Sequence, residues 1–226
     1  MMICDTRRMS RTLRDINKAL LVAAKRLYQK NCLAACDGNL SYRVDDEIIL
    51  ITPKGKPKAD LSTDEFALIN MQGDTISGEP SSERSMHLRV YRCCPKARCV
   101  VHAHPPTAIA WTIACPELVE LPSECMSELI VAAGRIPIAP YARPGTAAMG
   151  EHLEAFLPLH RIIILARHGA LCWGESIQEA SHAMERLEHS AEILMRAKLL
   201  GGLTYLPQKE VEALQDIRKT IGEKII

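Results

Sequence analysis

The run Arg161-Ile162-Ile163-Ile164-Leu165 constrains this chain most. Four successive large aliphatic residues, three of them β-branched, leave neither side of an extended strand polar, so both faces must be covered by further layers. Just downstream, Ile177, Ala180, Met184, Leu187, Ala191, Leu194 and Met195 recur at spacings of three and four, the period of an amphipathic helix. Ser176 with Glu179 has the spacing of a capping box, and Gly201-Gly202 stops the pattern. A strand buried on both faces beside such a helix predicts a layered α/β architecture.

The remaining pattern agrees. Thr12 to Lys30 carries Ile16, Leu20, Ala23, Ala24 and Leu27 on one helical face, with Thr12 and Asp15 as the expected cap, and a loop is expected around Cys36-Asp37-Gly38. Leu40–Val44 and Glu47–Thr52 read as strands joined at Asp45-Asp46, and Pro53-Lys54-Gly55-Lys56-Pro57 breaks the chain. Ser81 or Ser82 is placed to cap a helix running to about Arg92, with Glu83 in its first turn, where the helix dipole favours a carboxylate. Cys99 to His104 reads as a short strand stopped by Pro105-Pro106, and a charged helix is expected after Pro207. No repeat or linker tract divides the 226 residues, so one domain over 1–226 is expected, with a core of about 13–200 and a tail at 207–226.

Composition narrows the partners. A net charge of +1 offers no basic excess for nucleic acid or an anionic membrane surface. MMICDTRRMS has no apolar signal core and no run is long enough to span a bilayer, which predicts a cytoplasmic protein. Its nine cysteines, with no C-x-x-C pair, are then expected as reduced thiols rather than bridges or a cysteine zinc site.

His102 and His104 carry the strongest chemical signal. Two apart in a strand, they share a face about 6.6 Å apart at roughly 3.3 Å per residue, close enough for both imidazoles to converge on one metal ion. His168 follows the buried strand and precedes Gly169, where the backbone can turn and admit a ligand; alone it reads as a solvated loop residue, and it joins a site only if its strand end lies beside His104. Glu83 alone reads as a first-turn carboxylate. Ser81 and Ser82 add hydroxyls beside exposed helix N–H groups, a receptor for phosphate, and a carboxylate near both phosphate and metal can act as a general base.

Gly38-Asn39-Leu40-Ser41, Ile51-Thr52-Pro53-Lys54-Gly55, Pro80-Ser81-Ser82-Glu83 with Met86-His87, Val101-His102-Ala103-His104 and His168-Gly169 stand in the order found in the class II aldolase/adducin family. The resemblance spans roughly Leu13 to Leu200. It implies a three-layer α/β/α fold with a central, mainly antiparallel sheet, and a homotetramer with sites between subunits. It also implies a divalent metal, zinc with manganese or cobalt as substitutes, held by His102, His104, His168 and Glu83, with Glu83 able to leave the metal and act as base. The substrate phosphate is implied at Asn39, Lys54, Gly55, Ser81 and Ser82. The activity expected first is cleavage of a ketose 1-phosphate, L-fuculose 1-phosphate or a related 5-deoxy-ketose phosphate, into dihydroxyacetone phosphate and an aldehyde. Alternatives in the family are a pentulose-5-phosphate 4-epimerase, a methylthioribulose-1-phosphate dehydratase and a keto-acid phosphate decarboxylase; outside enzymes stands an adducin-like scaffold. Glu128 stands where aldolases of the family have a tyrosine implied as proton donor, and is carried forward as an acid/base candidate, with a surface carboxylate as the alternative. The family's tail can close over the active site, which makes 207–226 a candidate cover.

Overall fold

The computed structural model describes residues 2–222, 224 and 225, with side chains from residue 13 onward apart from that of residue 147. In chain order the elements are α1 (Met2–Gln29), β1 (Asn39–Arg43), β2 (Ile48–Ile51), β3 (Ala67–Asn70), β4 (Thr75–Ser77), α2 (Arg84–Cys93), β5 (Cys99–Ala103), α3 (Pro106–Ala114), α4 (Ser127–Ala132), β6 (Ile138–Ala139), α5 (Ala147–Glu154), β7 (Ile162–Leu165), β8 (Gly169–Gly174), α6 (Ile177–Leu199) and α7 (Gln208–Thr220), with a short 3-10 turn at Ser123–Cys125. The strands form one eight-stranded sheet in the order β4-β3-β2-β1-β5-β8-β7-β6. Every pairing is antiparallel except β6 with β7. Helices cover both faces, so the mainly antiparallel α/β/α sandwich expected of the chain is the fold it adopts.

Strand alternation divides the core in two. Leu40, Cys99, Val101, Ala103, Ile162, Ile164 and Cys172 face one way and pack with Leu20 and Leu27 of α1 and with Ala183, Leu187 and Leu194 of α6. Their neighbours Ile49, Ile51, Val100, Ile163, Leu171 and Trp173 face the other way, onto Met86 and Val90 of α2 and Met149 and Leu153 of α5. This is the period-2 rule of an extended chain acting on strands that are apolar throughout. The same parity decides the site: His102, two residues beyond Val100, must face α2, and so must Asn39 and Ser41, which flank Leu40.

Several local expectations shift. α1 begins before Thr12, because no Pro or Gly interrupts the preceding residues, so Thr12 and Asp15 lie inside it rather than capping it. α2 begins only at Arg84, which puts Glu83 at the N-cap and outside the first turn; neither Ser81 nor Ser82 caps it, although Ser81 Oγ accepts from the Glu83 N–H at 3.3 Å. The β1–β2 turn forms where expected, its backbone tied down by Asp45, whose carboxylate accepts from the N–H groups of Glu47 and Ile48 at 2.8 Å each. Ser176 caps α6 by accepting from the Glu179 N–H at 3.1 Å, but the box does not close on itself: the Glu179 carboxylate reaches one residue further back, to the Glu175 N–H, and also pairs with Arg161. The sequence pattern predicts none of β3, β4, α3, α4, β6, α5 and β8. The described cysteines are free thiols, and no helix among the described residues is long and apolar enough to cross a membrane.

Candidate active site

Three strand ends build the site. β5 delivers His102 and His104, the β7–β8 hairpin delivers His168, and β1 delivers Asn39, paired in register with His102. Two glycines make the convergence sterically feasible. Gly38 has φ +71°, and a Cβ there would sit 2.8 Å from the His102 carbonyl oxygen. At Gly169 a Cβ would sit 2.5 Å from the Ala103 oxygen and 2.8 Å from the His104 ring. Gly169 is therefore needed for close strand approach, while the sharp turn itself falls on Arg167, at φ 58°. Beyond the site, Pro105-Pro106 ends β5 and opens α3, whose first N–H groups at Thr107 and Ala108 donate to the Glu188 carboxylate of α6 at 2.9–3.1 Å.

The histidines meet as a triangle, with ring centroids 4.9–5.1 Å apart and one nitrogen from each within 4.8 Å of the others. Glu83 lies across from them, one carboxylate oxygen 3.4 Å from His102 Nε2 and the other 3.6 Å from His168 Nε2. The far sides of two rings are occupied: His102 Nδ1 is 2.9 Å from the Ala170 carbonyl, and His104 Nδ1 is 3.3 Å from Asp37. These contacts protonate Nδ1 and turn the Nε2 lone pairs, 3.2 Å apart, toward the common centre. Burial, reinforced by the neighbouring histidines, holds the His102 pKa well below its usual value, and burial likewise lowers that of His168 against the pull of Glu83. Imidazoles with converging lone pairs and one facing carboxylate are the donor set a divalent cation requires, so the residues fit a metal of the zinc type.

Behind Glu83 runs a buried polar chain. Asn39 Nδ2 donates to Glu83 Oε2 at 2.7 Å; His87 Nε2 lies 2.5 Å from Asn39 Oδ1; His87 Nδ1 lies 2.7 Å from Ser41 Oγ, which lies 2.7 Å from the Tyr91 hydroxyl. The carboxylate can only accept, which fixes the Asn39 amide; its carbonyl then accepts from His87 Nε2–H, so Nδ1 accepts from Ser41 and Ser41 from Tyr91. Burial pushes the His87 pKa down to about 3, consistent with one proton and one polarity. His87, four residues after Glu83, thus supports the site through Asn39. Asn39, expected at the phosphate, has its carbonyl and one amide hydrogen committed to this chain and keeps one N–H for the cleft.

In front of the histidines is a cleft of about 350 Å³ lined by Asp37, Asn39, Lys54, Gly55, Ser81, Ser82, Glu83, His104 and His168. All the phosphate candidates and three of the four metal candidates therefore line one cavity, with His102 buried at its base. Lys58 also lines it and was missed, because Lys-x-Lys-x-Lys in a breaker loop gives no sign which amine turns inward. Glu128 is not brought there: it is exposed in the first turn of α4, accepting from Ser127 at 2.9 Å, and its own backbone N–H and Ser127 hold its pKa below the usual carboxylate value. Among the described residues the tail does not cover the cleft within one chain either. α7 docks on α4, with Arg218 donating to the Val131 carbonyl at 2.9 Å.

The model of the class II aldolase and adducin N-terminal domain matches residues 18–195. Among curated relatives, 3-oxo-tetronate 4-phosphate decarboxylase of Pectobacterium atrosepticum is 31% identical over 83% of this chain and 86% of its own. L-fuculose phosphate aldolase of Escherichia coli is 30% identical over 83% and 86%. Among solved structures, YgbL from Klebsiella pneumoniae, described as an aldolase, epimerase or decarboxylase, superposes with a TM-score of 0.83 at 26% identity, covering 89% of this chain and 98% of that one. With the family matched over most of its length and the three-histidine cluster present, this chain is an enzyme of the class II aldolase and adducin family.

Proposed function

We propose that the protein decarboxylates a 3-oxo-tetronate 4-phosphate to dihydroxyacetone phosphate and CO2, using zinc or a similar divalent cation. A divalent cation at His102, His104 and His168 would supply Lewis acidity, lowering the energy of negative charge on the ketone oxygen. The chain's own residues divide the rest. Lys54, Gly55, Ser81 and Ser82 hold the phosphate in the cleft, which fixes the keto acid with its C1–C2 bond toward Glu83. When that bond breaks, CO2 departs and its electron pair stays at C2, conjugated with the C3 carbonyl. Glu83, facing the histidines and aligned by Asn39, delivers the proton to C2. One proton is consumed, and the product is dihydroxyacetone phosphate.

The observation that carries this reading over retro-aldol cleavage is that position 128 lacks the tyrosine implied for aldolases and holds a glutamate that is exposed within one chain. Aldol chemistry exchanges a proton with the oxygen of the departing aldehyde, the task implied for a tyrosine at that place, whereas CO2 leaves without any such exchange. The decarboxylase relative at 31% identity over most of both chains supports the same choice. Aldol cleavage of a ketose 1-phosphate is the second reading, favoured by the fuculose phosphate aldolase relative; both reactions leave the same carbanion, so one cleft suits either. Retention of Glu83 and all three histidines supports an enzyme rather than a scaffold. A homotetramer belongs to this proposal, since sites between subunits would let Glu128 and the tail of one copy approach the cleft of the next. Incubation with 3-oxo-tetronate 4-phosphate and with a panel of ketose 1-phosphates, assaying dihydroxyacetone phosphate and CO2, tests the reading; dihydroxyacetone phosphate from the ketoses alone would replace it with the aldolase.

A further inference from the structure

Lys58 is a buried charge that the proposed reaction leaves without a role. It is 3% exposed, yet its Nζ donates only to two backbone carbonyls, Cys36 O at 2.7 Å and Lys56 O at 2.8 Å. Among the described residues no carboxylate stands within ion-pair distance of it. Burial pushes its pKa down, while Cys36, Asp37 and Glu83, further off, pull the other way. A buried ammonium whose partners are neutral bears a desolvation cost that two carbonyl dipoles offset only in part. It also has three donors, of which two are used. The group lines the same cleft as Lys54, Gly55, Ser81 and Ser82.

We propose that Lys58 is the buried counter-charge for the phosphate of the substrate, giving it the third N–H and the positive charge that no carboxylate among the described residues pairs with. The inference rests on the reading of the cleft as a phosphate site, but not on which bond the enzyme breaks. A phosphate fits better than the substrate's carboxylate, for two reasons. The hydroxyls of Ser81 and Ser82 and the exposed amine of Lys54 line the same cleft, and a phosphate has acceptor oxygens for all of them. A fixed cation at the carboxylate would stabilise the ground state more than the transition state, because that charge leaves the carboxyl group as CO2 forms, and would slow the reaction. Lys58 also ties the Cys36 carbonyl to that of Lys56, so the cation is held in place before the ligand arrives.

The probe is inorganic phosphate, titrated calorimetrically into the metal-loaded wild type and into Lys58→Gln and Lys58→Arg, with metal content confirming an intact site in each. Loss of a charge-assisted hydrogen bond should weaken phosphate binding about 10- to 100-fold in Lys58→Gln, with partial recovery in Lys58→Arg. Phosphate binding by Lys58→Gln as tight as in wild type, at unchanged metal content, would overturn the proposal, as would wild type that takes up metal but not phosphate. A second readout needs no variant: the 13Cε resonance of Lys58, assigned in labelled wild type, should titrate at higher pH with saturating phosphate than without it, and an unmoved titration would also overturn it. Failure of 3-oxo-tetronate 4-phosphate to turn over, with these phosphate results as expected, would remove the proposed reaction and leave the role of Lys58 intact.

Discussion

Lowering the pH should destabilise the folded protein through the buried His87, because only the unfolded chain takes up its proton. In the folded protein burial holds this ring neutral down to about pH 3, whereas the unfolded chain takes up a proton near 6.5. A depressed histidine pKa contributes stability that is fully present above the unfolded value and is lost as pH falls toward the folded one. Between about pH 7.5 and about pH 5, proton uptake by the unfolded state costs about 2 kcal/mol through this one residue, at 1.36 kcal/mol per unit of pH below 6.5. The assay is guanidinium unfolding of wild type and His87→Gln at both pH values. His102 and His168 also titrate, but in both proteins, so they cancel in the difference of differences. His87→Gln should be less stable at neutral pH, because Ser41 or Asn39 loses a buried partner, yet its loss on acidification should be about 2 kcal/mol smaller than that of wild type. Equal losses would refute the neutral, buried His87 and the one-way hydrogen-bond chain deduced from it.

Other expectations follow from the same geometry. Glu83→Gln should abolish turnover while leaving phosphate affinity largely unchanged, checked by kinetics beside calorimetry; normal turnover would remove Glu83 as the proton carrier. His102→Ala/His104→Ala should purify without the metal and resist reloading, as elemental analysis would show. Glu188→Ala removes the acceptor for the Thr107 and Ala108 N–H groups and should cost about 2 kcal/mol, a fall in Tm of roughly 4–8 °C by calorimetry. Truncation at Pro207 should lower turnover more than stability if the tail of one subunit closes over the cleft of another; an equal fall in both would tie α7 to its docking on α4 alone.

What was legible in advance follows the physics of short range. Ile162–Leu165 announced a strand covered on both sides, and the His102/His104 spacing announced a shared face, because both depend only on the period of an extended chain. That His168 joins them depends on β8 pairing with β5, a long-range fact without a local signal. The start of α2 was misread by about two residues because Ser81 and Ser82 look like caps, while the chain there is held by an isolated bridge between Pro53 and Pro80. Lys58 was invisible because nothing in a Pro- and Lys-rich loop says which amine is buried. Glu128 was read from resemblance alone, and a single chain leaves it on the surface.

The most direct test of the proposed reaction is a comparison of kcat/KM for 3-oxo-tetronate 4-phosphate with that for L-fuculose 1-phosphate and 5-deoxyribulose 1-phosphate, with dihydroxyacetone phosphate and CO2 quantified in the same vessel. Equal amounts of the two products from the keto acid, lost on metal removal and in His102→Ala/His104→Ala, with much weaker cleavage of both ketoses, is the predicted result. Efficient release of dihydroxyacetone phosphate from a ketose, with none from the keto acid, would contradict it.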